Sequence, residues 1–186
     1  IVRARLLRQR VSAPAAWITV VGETSTGKTT LINCLLGEKL LPTGPQPTSS
    51  TVVQIVCREA PDEYFAISKT ATQAALSRAE FVSAASAPAE ELLRLQVRTD
   101  KPGPGFRGLQ VFDTPGYNAM VAGHEQILRD FIPESDVLVF VAGYRTGFGQ
   151  IDQDLFEVVA DSVAGDTNLP ILLVINRVPD GTDGTN

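Results

Sequence analysis

Three short stretches of this sequence carry residue types spaced for phosphate chemistry. The first is Gly22-Glu23-Thr24-Ser25-Thr26-Gly27-Lys28-Thr29, which fits the pattern G-x-x-x-x-G-K-[ST]. Glycines at both ends let the backbone wrap until successive N–H groups point at one phosphate. The N-terminus of the helix that follows would add its positive dipole end. Lys28 supplies a cation for β- and γ-phosphates, and the Thr29 hydroxyl is placed to bind Mg²⁺. The nucleotide is expected to touch residues 22–30 throughout, Thr30 included. Glu23 reads as a loop-bracing residue and not as a general base, because phosphoryl transfer needs positioning and charge stabilisation more than a strong base. The second stretch is Asp113-Thr114-Pro115-Gly116, directly after an apolar run. A carboxylate there can hold Mg²⁺, usually through water, and the Gly116 N–H can meet a γ-phosphate. The third is the loop Pro45-Gln46-Pro47-Thr48-Ser49-Ser50-Thr51. A hydroxyl in it can reach Mg²⁺ and the γ-phosphate and let go after hydrolysis. Thr48 is the first choice, with Ser49 and Thr51 as alternatives.

Such residues act only if regular elements hold them. Trp17–Val21 is a β-branched run between Pro14 and Gly22 and predicts a buried strand. Thr29–Leu36 predicts a helix that Gly37 stops. Thr51–Cys57 predicts a second strand and Tyr64–Ser68 a short third one. Residues 70–93 predict a surface helix broken near Pro88. Leu93–Arg98 alternates apolar and polar residues, as a half-buried strand does. With a turn at Lys101–Gly105 and a strand at Leu109–Phe112, residues 93–112 predict an antiparallel hairpin. Ala122–Phe131 suits a helix, and Asp136–Ala142 a buried strand. Asp152–Val163 suits a helix with Leu155, Phe156, Val158 and Val159 inward. Leu169–Ile175 closes the series as a last buried strand. Strands alternating with helices predict an α/β fold: a mostly parallel, doubly wound sheet with an antiparallel edge hairpin.

Composition narrows the class. Hydrophobic residues make up 44% and charged residues 20% of 186 residues, which excludes wholesale disorder. The net charge of -5 disfavours a polyanion partner, so no nucleic acid is expected. Two cysteines, Cys34 and Cys57, are too few for a disulfide scaffold, and no Cys/His cluster suggests zinc. No apolar run approaches the ~20 residues of a spanning helix. A soluble, cytoplasmic domain is expected. Arg3, Arg5, Arg8 and Arg10 set the first ten residues apart from the acidic remainder. Residues 1–12 predict a basic helix and residues 13–186 the nucleotide-binding domain.

These motifs in this order resemble the translation-factor-related class of P-loop GTPases, and within it the dynamin-like GTPases of the bacterial dynamin-like type. There the phosphate-binding loop commonly reads G-E-x-S-x-G-K-[ST], as Gly22–Thr29 does. The lead Leu40-Leu41-Pro42-Thr43-Gly44 and the following Pro47-Thr48-Ser49 are similar to the family's switch loop. Asp113–Gly116 followed by Tyr117 and Asn118 fits as well, and His124 stands where a histidine is familiar, with a structural role expected. The resemblance spans about Trp17 to Asn176. It implies a P-loop GTPase fold, GTP and GDP as ligands, and Mg²⁺ held by Thr29, Thr48 and Asp113. It implies that Ser25, Lys28 and Thr48 carry the reaction, with Ser25 helping to hold a monovalent cation, K⁺ or Na⁺, in place of an arginine finger. It further implies a homodimer across the nucleotide face. Membrane association, peripheral and linked to remodelling, would run through parts absent from this chain.

The family's base-reading motif is [NT]-K-x-D. Here the chain reads Asn176-Arg177-Val178-Pro179-Asp180. Asn176 fits, and Arg177 can replace the lysine by stacking its stem on the base. Asp180 lies one place late. A bulge restores it, or Asp183 serves instead, or guanine selection is relaxed, which keeps an ATP-specific enzyme open. An Era-like switch acting on ribosome or RNA, and a nucleotide-binding scaffold without turnover, are the other rivals. The chain stops ten residues after Asn176, so a GTPase core truncated at its C-terminus is expected.

Overall fold

In the computed structural model, residues 15–43, 51–59, 61–86, 91–117, 123–163 and 168–179 are described. Thr48, Ser49, Asn118, Asp180, Asp183 and residues 1–12 lie outside them, as does the expected break at Pro88.

The β-branched run forms β1 (Ala16–Val21), and α1 (Lys28–Leu36) follows after the loop. Gly37 ends α1, its N–H donating to the Cys34 carbonyl. Strands β2 (Val53–Cys57), β3 (Glu63–Ser68), β4 (Gln73–Leu76), β5 (Leu92–Thr99), β6 (Leu109–Asp113), β7 (Val137–Gly143) and β8 (Ile171–Asn176) join β1 in one sheet. Its order is β4-β3-β5-β2-β6-β1-β7-β8. The pairs β6–β1, β1–β7 and β7–β8 are parallel, as is β2–β5. The pairs β2–β6, β5–β3 and β3–β4 are antiparallel.

Helices cover both faces, so the sheet is doubly wound as expected. On one face, α1 and α2 (Arg78–Ser86) pack Ile32, Leu36 and Phe81 against Val20, Val53, Ile55, Leu95 and Val97. On the other, α3 (His124–Phe131) and α4 (Gln150–Ser162) pack Leu128, Leu155, Val158 and Val159 against Val21, Leu138 and Phe140. Adjacent strand residues feed opposite cores, because successive side chains alternate faces.

Several expectations need correction. Residues 93–112 do not form a hairpin: β5 and β6 exist, but β2 lies between them and pairs with both. That insertion buries Val53 and Ile55 with a neighbour on each side. The antiparallel edge hairpin is instead β3–β4. Residues 70–93 are not one helix, because Gln73–Leu76 pairs with β3. The boundary is set by Ser77-Arg78-Ala79-Glu80, a capping box. The Glu80 N–H donates to Ser77 Oγ at 3.3 Å, and the Ser77 N–H donates to Glu80 Oε2 at 2.7 Å.

Strand β5 is buried on both faces, not one. Its polar positions Arg94 and Gln96 lie inside a side-chain network in which both donate to Gln54 Oε1, at 2.7 and 2.8 Å, while Gln54 Nε2 donates to Gln110 Oε1. A central strand must satisfy such groups internally. Phe156 is half exposed, since it sits one residue, or ~100° of helix rotation, off the Leu155–Val158–Val159 stripe. Strand β8 is not buried: it is the sheet edge, paired with β7, and Leu172, Leu173 and Ile175 are more than half exposed.

Candidate nucleotide-binding site

The site lies at the C-terminal ends of the parallel strands β6, β1, β7 and β8, where ligands of open α/β sheets bind. The loop Gly22–Gly27 leaves β1 and turns into α1. Thr26 Oγ1 donates to the Glu23 carbonyl at 3.0 Å and closes the turn. Ser25 sits at the exposed crest with φ +65, and Gly27 follows with φ +93. Gly27 cannot be larger. A Cβ there would stand 2.4 Å from Asn176 Nδ2, which comes from the end of β8 and donates to the Thr26 carbonyl at 2.9 Å. Asn176 thus braces the loop from the side, while its Oδ1 accepts the N–H of Arg177, a residue at φ +61.

Lys28, the first residue of α1, bends back under the loop. Its Nζ donates to the Gly22 carbonyl at 3.0 Å and the Glu23 carbonyl at 2.8 Å. An ammonium has three donors, so one remains for an anion in the loop's mouth. Burial lowers the Lys28 pKa to about 8, and the charges of Asp113 and Glu23 oppose that shift. Glu23 itself is raised, first by burial and then by the charge of Asp152, with Lys28 opposing.

Beside Lys28, Thr29 Oγ1 donates to Asp113 Oδ2 at 2.7 Å. Asp113 ends β6 and is fully buried. Its second oxygen, Oδ1, has no hydrogen-bond partner. Burial pushes its carboxyl up to about 6, against the Thr29 hydrogen bond and the Lys28 charge. A buried carboxylate oxygen without a donor, next to a hydroxyl oxygen, is a hard-oxygen donor set that suits Mg²⁺. Among the described residues no group of three or more His, Cys, Asp or Glu could hold a metal.

The structure therefore brings together Gly22–Thr29, Asp113, Gly116 and Asn176. Thr30 and Arg177 are exposed, and Arg177 is not in contact with the loop's mouth through any described bond. Of the three switch hydroxyl candidates, only Thr51 is described; it is buried two residues before β2. Two residues beside the loop were given no site role by sequence reading. Asp152, on α4, is buried with Oδ1 unpartnered, and its charge reaches Glu23. Tyr117 pairs its backbone with the loop at Glu23. A large aromatic directly after D-T-P-G was the available signal for the second; nothing local marked the first.

A family model described as "Dynamin family" matches residues 18–177. This chain belongs to the dynamin family. The dynamin-family domain is 27% identical over 138 residues to a probable transmembrane GTPase, FZO-like and chloroplastic, of Arabidopsis thaliana, covering 71% of this chain and 12% of that protein. It is 23% identical over 176 residues to dynamin-like protein A of Bacillus subtilis, covering 87% and 13%. Among solved structures it resembles an oligomerised bacterial dynamin pair described as sensing and tethering membranes, with a TM-score of 0.66 at 16% identity, covering 98% of this chain and 28% of that one. The dynamin-family domain therefore spans well under half the length of each of these relatives. Among its described residues no helix is long and apolar enough to cross a membrane.

Proposed function

We propose that this domain binds GTP with Mg²⁺ and hydrolyses its γ-phosphate by in-line attack of water. The observation that carries this reading is the Thr29–Asp113 pair, with a buried oxygen lacking a donor, set beside the Lys28 ammonium at the base of the loop. In it, Thr29 and Asp113 hold Mg²⁺, joined by Thr48 from the switch loop. The cation, when bound, neutralises charge on the β- and γ-phosphate oxygens. The chain's own groups do the positioning. Backbone N–H groups of Ser25 and of Gly27, Lys28 and Thr29 cradle the phosphates at the start of α1. Lys28 offers its remaining N–H to the β/γ oxygens, and Gly116 faces the γ-phosphate. Asn176, Arg177 and Asp180 form the base end. Two domains meet across the nucleotide face. Segments elsewhere in the polypeptide bring the pair to a membrane, as the tethering activity described for the dynamin pair suggests.

Ser25 stands at the exposed crest of the loop, and in this reading its hydroxyl would help to hold a monovalent cation in place of an arginine finger. Ser25→Ala is expected to slow hydrolysis at least tenfold, leave GTP affinity within about twofold, and erase K⁺ or Na⁺ stimulation. Single-turnover hydrolysis in the two salts measures this. A variant that keeps wild-type cation dependence refutes the role.

The experiment that tests the function as a whole is competition of GTP, GDP and ATP for a fluorescent guanine nucleotide, followed by single-turnover hydrolysis with Mg²⁺. GTP and GDP should displace the probe at least a hundredfold better than ATP. Equal displacement by ATP overturns guanine selection. Tight binding with no turnover above background overturns hydrolysis by the domain.

A further inference from the structure

The segment after Asp113 does not leave the sheet where β6 ends. Thr114 Oγ1 donates to the Val20 carbonyl at 2.7 Å, and both groups are buried. Three residues later the strand alignment resumes as a parallel bridge between Tyr117 and Glu23. The Tyr117 N–H donates to the Gly22 carbonyl at 3.0 Å, and the Thr24 N–H donates to the Tyr117 carbonyl at 3.2 Å. Between these points, Thr24 Oγ1 donates to the Gly116 carbonyl at 3.2 Å. The approach is close enough that a Cβ on Gly116 would stand 2.5 Å from Thr24 Cα. Residues 116 and 117 therefore ride directly on the phosphate-binding loop.

The Tyr117 side chain adds a second attachment. It is 5% exposed and belongs to the core cluster of Val21, Leu128, Ile132, Leu155 and Val158, between α3 and α4. Burial raises the pKa of its hydroxyl, the charges of Glu125 on α3 and of Asp154 and Glu157 on α4 add to that shift, and Arg129 on α3 opposes it. Burial of such a ring is worth several hydrogen bonds of the kind that tie its backbone to the loop. The loop's hydrogen bonds set the register, and the ring adds to the holding force.

We propose that Tyr117 is a positioning residue: by anchoring its ring between α3 and α4 it fixes Gly116 against the phosphate-binding loop, and so sets how strongly the site prefers a nucleoside triphosphate over a diphosphate. The proposal rests on the reading of this site as one for GTP with Mg²⁺. Gly27, Lys28 and Thr29, at the start of α1, can hold the α- and β-phosphates through groups that Tyr117 does not bond. A γ-phosphate reaches Gly116, whose place depends on it.

The test measures Mg²⁺-dependent affinities for GDP and for a non-hydrolysable GTP analogue in the wild type, Tyr117→Ala and Tyr117→Phe. For Tyr117→Ala the analogue should bind about tenfold more weakly, a change of about 1.4 kcal/mol, with GDP within about twofold of wild type. Tyr117→Phe keeps the buried ring and should restore both affinities. If the alanine variant melts below the assay temperature, Tyr117→Leu takes its place with the same expectations. Equal weakening of both nucleotides, or no change in either, overturns the positioning role while leaving the site assignment standing. A wild type that binds neither nucleotide overturns both.

Discussion

Lys28→Ala is expected to weaken GTP and GDP binding by at least a hundredfold. A charge-assisted hydrogen bond to a phosphate contributes about 1.5–3 kcal/mol, and the loss of the cation's long-range attraction adds to it. The fold should survive. Lys28 is 6% exposed, and its pKa near 8 reflects a charge held away from water against a burial penalty. Removing it relieves that penalty. Alanine also leaves room for water at the Gly22 and Glu23 carbonyls, which Nζ now serves. Thermal melting without nucleotide should thus be close to wild type while isothermal titration shows no binding. Unchanged GTP affinity would remove the basis for the phosphate site.

The lysine also fixes the sign of a pH effect. Its folded pKa lies below the ordinary 10.5, so the nucleotide-free protein binds fewer protons than the unfolded chain between about pH 8 and 10.5. Stability from this group rises with pH across that window. Nucleotide affinity moves the other way. Binding a polyanion favours the charged lysine, so affinity falls as pH rises above about 8.

Asp113→Asn is expected to separate stability from function. The free carboxyl has its pKa raised from 3.8 to about 6, chiefly by complete burial. The folded protein therefore holds more protons than the unfolded chain between about pH 4 and 6. Stability is lost as pH rises through that window, by about 3 kcal/mol once the group is ionised. Asparagine keeps the side-chain shape and an acceptor for Thr29 Oγ1 but carries no charge. Without nucleotide and Mg²⁺, the variant should be about 2–3 kcal/mol more stable at pH 7.5, and the difference should vanish near pH 4. For a domain of this size that is a rise in Tm of roughly 4–12 °C. The same variant should lose the Mg²⁺-dependent part of GTP binding and fall at least a hundredfold in hydrolysis. A variant less stable than wild type at pH 7.5, or one with normal Mg²⁺ dependence, contradicts this account of the site. If Asp113→Asn gains stability and loses Mg²⁺-dependent binding as expected, the orphaned oxygen costs stability and is kept for binding a cation.

Most of the phosphate end was legible from residues alone. Gly22–Thr29 is eight consecutive residues whose spacing dictates a wrapped backbone between a strand and a helix, and β1 and α1 flank it as expected. Asp113 at the end of an apolar strand was legible for the same reason. The topology was less so. Leu93–Arg98 and Leu109–Phe112 are good strands joined by a good turn, and locally nothing argues against a hairpin. Only the burial of Val53 and Ile55 between them decides otherwise. The helix start at Arg78 was legible in Ser77-Arg78-Ala79-Glu80, but the alanine-rich composition around it masked the cap.

By itself, then, the sequence determined the local geometry that short spacing can encode: a wrapped loop between a strand and a helix, the lysine at its base, and the hydroxyl and carboxylate of Thr29 and Asp113 at element ends. Those depend on backbone dihedrals and neighbours within one turn of chain. The tertiary structure alone decided which distant groups meet. Thr29 and Asp113 are 84 positions apart, Asn176 and Thr26 are 150 apart, and both pairs are in hydrogen-bond contact. It also decided that Asp113 keeps an oxygen without a donor, and that Tyr117 carries Gly116 on the loop. Burial and strand order arise from the sum of many weak contacts across the whole sheet, and no local stretch of residues contains that sum.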